Sequence, residues 1–479
     1  MTTGPHAAVE ASSVDSDSVY GRLPLRLSER TYSSFQAHGA CFAYAIATWC
    51  FLVGSYAANL VGAVEGTICL MAGNLIGTFL CTMPLSLGCQ RYGLEQMDFC
   101  KTAFGQRGSQ FLILFYLFNM LGWSGLLLVM LGNGFFNIAD AFGMQPGQWV
   151  VGAGVAFGIW ISCVIAIRGV KQLAVVASWV TPVLGVVILY MIFILVRAYG
   201  WDAIAAAPPL DPTPNKVANY AIVLELGIAN GFSWWGGIGF LARNTRTQRD
   251  SVYPQILQLG FMNGFVSSVA LCAALVVGSD DPTKWMIPLG GMVMGVMAIM
   301  CIGMANITAV SLSVFASGLA LRHIPLLRDR PWWQIVVIAM SPCGFFVFWS
   351  QELYDLGASF LAYNGTMYAP IAGIVFVDFF FLHKQRVNLR SIFDSSPGGD
   401  YYYWKGLNVW GLGCIVLGQV VYFSLFDPID LETHWLFNYV PASVAAFVLP
   451  AAVYWVGMHL QGVKITSGES GSPLKSPNI

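Results

Sequence analysis

From about residue 39 to residue 459 the chain is an almost unbroken succession of apolar stretches, each close to the length of a helix that crosses a lipid bilayer. A hydrocarbon core about 30 Å thick asks for roughly 20 apolar residues per helix, and it tolerates helices because their backbone groups pair within the segment. Twelve stretches meet that ruler: 39–62, 64–86, 109–137, 148–167, 174–196, 218–241, 255–278, 290–320, 332–350, 355–383, 406–426 and 435–459. The third and eighth exceed the minimum and are expected to tilt. Composition points the same way. With 57% of residues hydrophobic and 10% charged, too few polar side chains exist to cover a soluble surface.

An even number of spans puts both ends on one side, and the basic residues say which. Of the 23 Lys and Arg, only Arg197, Lys216 and Lys284 fall in the odd loops; the other 20 lie in the tails and even loops. Cytoplasmic loops carry such an excess, so both termini are expected in the cytoplasm, with the chain in a plasma (inner) membrane. Residues 1–38, polar and Ser-rich, read as a disordered cytoplasmic tail, and residues 460–479 as a second tail.

Several function classes drop out. A net charge of −1 gives no basic face for nucleic acid. Most of the 11 cysteines lie inside apolar runs, and no CxxC or HExxH spacing occurs, so neither a disulfide framework nor a transition-metal site is indicated. No Ser/His pair, carboxylate dyad or metal set shares a depth, which argues against an enzyme. The remaining partners are membrane lipid and a small molecule, with a monomer as the working expectation.

Two spans contain residues that unwind cheaply. Span one holds Val53-Gly54-Ser55-Tyr56 at mid-depth, and span six holds Ser233-Trp234-Trp235-Gly236-Gly237-Ile238-Gly239. Glycines in membrane helices often serve only close packing. Spans one and six, however, are five apart, and paired interruptions at corresponding places of inverted repeats mark a midplane site. Span three adds Gly122-Trp123-Ser124-Gly125. Tryptophan at mid-depth, away from the interface where it usually sits, favours a flat aromatic ligand: stacked rings gain roughly 0.5–1.5 kcal/mol per pair beyond burial. Gly152–Gly158 superficially resembles a nucleotide loop but lies inside a span, where helix packing is the better reading.

Polar residues inside the spans are few. Glu225 in span six is a candidate for cation or proton coupling or a structural hydrogen-bonding partner. Span eight carries Asn306, Thr308, Ser311, Ser313 and Ser317; Asn306, Ser313 and Ser317 share one face. Their oxygens suit sodium, although Ser and Thr also bond back to their own helix. Asn364 in span ten faces either the site or a neighbouring helix.

Taken together, these residues resemble the nucleobase-cation symporter-1 family, which includes cytosine permeases and hydantoin or allantoin transporters. The resemblance runs from about Gln36 to Phe426. It rests on Gly122-Trp123-Ser124-Gly125, on Trp234 followed by Thr245-Arg246 and Gln248-Arg249-Asp250, and on Ala369-Pro370-Ile371-Ala372-Gly373 leading to Asp378-Phe379-Phe380. Tyr403-Trp404-Lys405-Gly406-Leu407-Asn408 and Ala316-Ser317-Gly318-Leu319 add to it.

The resemblance implies a leucine-transporter-like fold: helices 1–5 (39–196) and 6–10 (218–383) as inverted repeats, plus helices 11 and 12 (406–459). It implies that Trp123 and Trp234 stack on the substrate ring, with Trp235 a substitute for Trp234. The helix-one break would fall near Gly54, with Ser55 or Tyr56 beside the ring, and carbonyls around it, those of Leu52 and Ser55, would help bind a coupling cation, Na+ or H+. Hydantoin-type members carry a glutamine four residues after the helix-three tryptophan, where this chain has Leu127. The hydroxyl pair of the family's sodium site becomes Thr308-Ala309 in one register and Met304-Ala305 in another.

The expected function is therefore a secondary active transporter that imports a nucleobase, hydantoin or related planar heterocycle by alternating access. The ring's polar edge would meet the breaks and Asn306 or Asn364. An amino-acid or amine transporter of the same fold, or a passive pore, are the alternatives.

Overall fold

The computed structural model describes residues 23–461. Helices occupy all twelve expected positions. The first position is split into α1a (Ser34–Ala45) and α1b (Thr48–Leu60), bent by 47° at the join. After it come α2 (Ala63–Tyr92), α3 (Gly108–Ala141), α4 (Trp149–Ile167) and α5 (Val170–Tyr199). The sixth position comprises α6a (Lys216–Ser233) and α6b (Trp235–Arg243). Then follow α7 (Gln248–Val277), α8 (Pro282–Leu321), α9 (Trp332–Val347), α10 (Gly357–Val377), α11 (Val409–Leu425) and α12 (Ala442–Leu460). Eight of these helices are long and apolar enough to cross a membrane, or nine with the bent α1 pair taken as one span. The expectation of twelve rests for α6, α9 and α11 on helices that are interrupted or shorter.

Helix ends follow their capping residues. Ser33 and Gln36 form a reciprocal box at the start of α1a, Asn215 accepts from Val217 and Ala218 at the start of α6a, and Asp281 caps α8 with Pro282 in its first turn. Gly93 and Gly278 close α2 and α7 in the left-handed conformation that glycine adopts without strain. Helix α8 begins eight residues earlier than its expected start at 290 because it runs through a kink at Gly291 (φ 71°, ψ 173°), where the backbone departs from helical geometry.

Two groups of helices result. In one, α2 packs on both halves of α6 and on α7, while α1b lies along α7. In the other, α3, α4, α8 and α9 pack on one another. Helices α10, α11 and α12 pack together, with α10 against α6a. The crossing of α2 and α6a is made by small residues on both sides: a Cβ at Gly73 would lie 2.6 Å from the Leu224 carbonyl, and one at Gly77 2.2 Å from that of Ile228. Backbones that approach this closely gain dispersion contact that bulky side chains would prevent. Gly152 and Gly154 do the same for α4, against the Val347 carbonyl and the Gly132 Cα, as the packing reading of that segment expects.

Candidate functional site

The helix-one break is the first surprise. It lies at Ile46 and Ala47, both extended rather than helical, seven residues before the glycine expected to make it. Gly54, Ser55 and Tyr56 sit inside α1b, and Leu52 is buried there. Gly54 is the contact point for α7: a Cβ on it would meet the Ser267 carbonyl at 1.9 Å. A sequence scan finds glycine because glycine is conspicuous, whereas what opens a helix in lipid is a set of partners for the freed backbone groups. Those partners are present here. Asn306 Oδ1 accepts from the Thr48 backbone N–H at 2.9 Å and from the Thr48 hydroxyl, and its Nδ2 donates to the Leu127 carbonyl of α3 at 3.1 Å. The Ala45 carbonyl accepts from Asn263 Nδ2 at 2.9 Å and from Trp49 Nε1 at 2.8 Å. Asn306 thus ties the break to α8 and α3, and with Thr48 it lines a cavity of about 190 Å³ between α1b, α3 and α8.

Beside the break lies a small cavity lined by Tyr44, Trp49, Asn119, Met120, Trp123, Asn230, Ser233, Trp234 and Ser313. Its walls come from α1, α3, α6 and α8. Trp123 and Trp234 are both here, as expected, but a third indole stands between them. Trp49 is edge-on to Trp123 (5.6 Å between centroids, 82°) and to Trp234 (5.2 Å, 82°), and Tyr44 closes the group at 5.3 Å from Trp234. The cavity left over is about 10 Å³, room for roughly one water. The indole N–H groups of Trp123 and Trp234 are buried without a partner among the described residues, and Ser313 donates to the Tyr44 hydroxyl at 3.1 Å. Among the described residues, no carboxylate, ammonium or guanidinium lines it.

Four chemical features therefore meet at one place: an opened helix, three indoles, neutral polar groups and no charge. A family model described as permease for cytosine/purines, uracil, thiamine, allantoin matches residues 28–457. The chain belongs to that family. A purine-uracil permease of Arabidopsis thaliana is 22% identical over 88% of this chain and 74% of its own length. Among solved structures, Mhp1, a nucleobase-cation-symport-1 family transporter in a closed conformation with bromovinylhydantoin bound, aligns with a TM-score of 0.75 at 17% identity over 94% of this chain and 97% of its own. A Na+-coupled sialic acid symporter aligns with a TM-score of 0.60 at 11% identity over 95% and 97%. The fold is that of the leucine-transporter-like membrane transporters, and the protein is an integral, multi-pass permease.

The remaining candidates in this permease are placed as follows. Trp235 leaves the cavity and stacks on Tyr368 of α10 (5.2 Å, 20°). Asn364 stands behind the cavity, accepting from Asn119. Thr308 and Ser311 donate to their own helix, at the Met304 and Ile307 carbonyls. Glu225 accepts the Ser443 backbone N–H at 3.1 Å and the Ser443 hydroxyl. Its carboxylate caps the start of α12, where free N–H groups need an acceptor. That supports the structural alternative for this residue.

The sequence reading missed Tyr44, Trp49, Asn119, Asn230 and Ser233. Two of them carried a usable signal: Asn119 precedes Trp123 by four residues and Asn230 precedes Trp234 by four, so each helix shows an amide and an indole on one face.

A second polar cluster sits beyond the C-terminal ends of α6b and α8. Asp98 pairs with Lys101 at 2.7 Å and with His323 at 3.2 Å, and Glu95 lies 3.5 Å from His323. Burial alone would lower the His323 pKa, but the charges of Asp98 and Glu95 outweigh it and raise it above its ordinary value. Burial would raise Asp98, yet His323 and Lys101 hold it well below the usual carboxylate range.

Proposed function

We propose that this permease is a secondary active transporter that imports a neutral planar heterocycle, a pyrimidine, purine or hydantoin-like ring, together with Na+ or H+. The observation that carries the proposal is the uncharged, indole-walled cavity beside the opened first helix. A flat ring takes the place that Trp49 now fills between Trp123 and Trp234, so binding requires Trp49 to turn aside; the ring then gains stacking and edge contacts, and the orphaned indole N–H groups supply donors for its oxygens or nitrogens. The absence of a cation among the lining residues disfavours nucleotides. A free amino acid is also disfavoured, because the first N–H of α1b, at a half-helix end of the kind that receives substrate carboxylates, is held by Asn306. The Arabidopsis relative's name, purine-uracil permease, and the bound hydantoin in Mhp1 support the same substrate class.

Coupling supplies the driving force. One positive charge moving inward is worth about 2.3 kcal/mol per 100 mV, which at about 1.4 kcal/mol per decade permits roughly fifty-fold accumulation. The basic loops support a plasma (inner) membrane placement with cytoplasmic termini, and a monomer contains the whole cavity.

The test is uptake of labelled uracil, hypoxanthine and hydantoin into proteoliposomes under imposed sodium or proton gradients. Trp123→Ala and Trp234→Ala are expected to abolish uptake while leaving the protein folded. Normal uptake by both variants would refute the stacking model, and uptake indifferent to both gradients would make the protein a facilitator.

A further inference from the structure

Two asparagines line the cavity, and an amide side chain can turn either its oxygen or its nitrogen to a ligand. Which way it faces is decided by its other partners. For Asn230 the chain of decisions starts at three backbone carbonyls, which can only accept. Asn74 Nδ2 donates to the Leu259 and Gly260 carbonyls of α7, so Asn74 turns its oxygen away from them. Asn263 Nδ2 donates to the Ala45 carbonyl at the helix-one break, so its oxygen is likewise directed elsewhere. Both oxygens converge on Asn230 Nδ2, at 2.9 and 2.7 Å. The two hydrogens of that amide are then fully used. With Nδ2 committed to Asn74 and Asn263, Oδ1 is the part of the Asn230 side chain left for the cavity it lines.

Asn119 is set by the same logic from the other side. Asn364 Nδ2 donates to the Phe360 carbonyl at 2.8 Å, which directs Asn364 Oδ1 to the Asn119 amide nitrogen. Asn119 keeps Oδ1 and one N–H.

The geometry points to a reader of ring N–H groups: Asn230 is an acceptor only, and Asn119 pairs with an adjacent C=O/N–H edge. The substrate class is a neutral cyclic amide, imide or ureide that donates N–H to Asn230 and turns a lactam edge to Asn119. This deepens the transport reading above and rests on it. A ring that offers only lone pairs to Asn230 meets oxygen against oxygen and leaves a buried acceptor unpaired, a penalty larger than the worth of the bond itself. The selectivity is relayed, because the groups that orient Asn230 lie on α2 and α7, outside the cavity, and one of them is tied to the carbonyl released where α1 opens.

The experiment measures binding to purified full-length protein, by tryptophan quenching, of three parent rings and their fully N-methylated counterparts. The pairs are uracil with 1,3-dimethyluracil, hydantoin with 1,3-dimethylhydantoin, and xanthine with caffeine. At least one parent is expected to bind, and its methylated counterpart to bind at least about tenfold more weakly. Steric exclusion by the methyl groups is separated by Asn230→Leu, in which the parent is expected to lose its advantage while overall binding weakens. Should that variant fail to fold, because it strands the Asn74 and Asn263 oxygens, Asn119→Leu carries the same comparison for its own edge. Equal affinity for parent and methylated ring, or discrimination that persists undiminished in the leucine variant, overturns the inference. Binding of none of the three parents overturns the transport reading beneath it, and this inference with it.

Discussion

Helices α1 and α6 stand five positions apart and both are interrupted beside the same cavity, but the interruptions differ in kind. In α1 two residues leave helical geometry and the axis turns by 47°. In α6 only Trp234 marks the join, at φ −67° and ψ −13°, which is still within the right-handed helical region. Neither interruption is made by glycine. Two of the three glycines of α6b instead receive aromatic rings: a Cβ at Gly236 would lie 2.2 Å from Tyr116, and one at Gly237 2.5 Å from Tyr44, while Gly239 faces Gln96. An opened helix in a membrane interior requires side chains from elsewhere to satisfy its backbone, and α1 has Asn306, Asn263 and Trp49 to do so.

The largest effect that tests this contrast is steric. Gly54→Val should abolish folded yield, since its Cβ would overlap backbone atoms of α7, whereas Gly237→Ala should cost about 1–3 kcal/mol through a displaced Tyr44 ring and impair binding more than folding. Size-exclusion yield and ligand binding measured on both variants check it, and the reverse ranking would break the comparison.

Next comes Asn306→Leu. It leaves the Thr48 N–H without its acceptor, so thermal unfolding should report a loss of about 1–3 kcal/mol. Ser233→Ala, which removes only a hydroxyl bonded to its own helix at the Asn230 carbonyl, should cost less. Equal losses would show that the α6 join needs support too.

Glu225→Ala should lower stability by about 0.5–2 kcal/mol, the range for a lost helix cap, with gradient-driven uptake retained. Loss of the gradient response in folded protein would return Glu225 to the coupling machinery and make α6 the functional partner of the α1 break.

The smallest change is in pH dependence at the C-terminal ends of α6b and α8. His323, with its raised pKa, contributes stability that is fully present below its ordinary value and is lost as pH rises through the raised one. Asp98, with its lowered pKa, contributes stability that is present above its ordinary value and is lost as pH falls through the lowered one. His323→Gln should therefore flatten the alkaline limb of a melting-temperature profile and also shrink its acid limb, because His323 is one of the two cations that hold Asp98 down; Lys101 retains the rest.

The helix positions were legible because lipid imposes one length and one polarity on every span, so apolar runs locate them almost by themselves. Trp123 and Trp234 were legible for a related reason: a large amphipathic ring at mid-depth has few structural uses. Trp49 was not, because nothing in its neighbours announces that the chain opens two residues earlier. That opening depends on Asn263 and Asn306, which lie more than two hundred residues away. The role of Glu225 was hidden in the same way, since its partner Ser443 belongs to α12.

The wide turn of α7 at Gln255–Met262 follows an i→i+5 bonding pattern, so this stretch accommodates one residue beyond a regular α-helix. Excising one position there would let the turn close into a regular α-helix while the residues beyond it keep their facing. What would change is the turn itself: the Leu259 and Gly260 carbonyls, which accept from Asn74 and so turn its oxygen toward Asn230, belong to it. The extra residue is therefore tied, through one amide, to the orientation of a side chain on another helix.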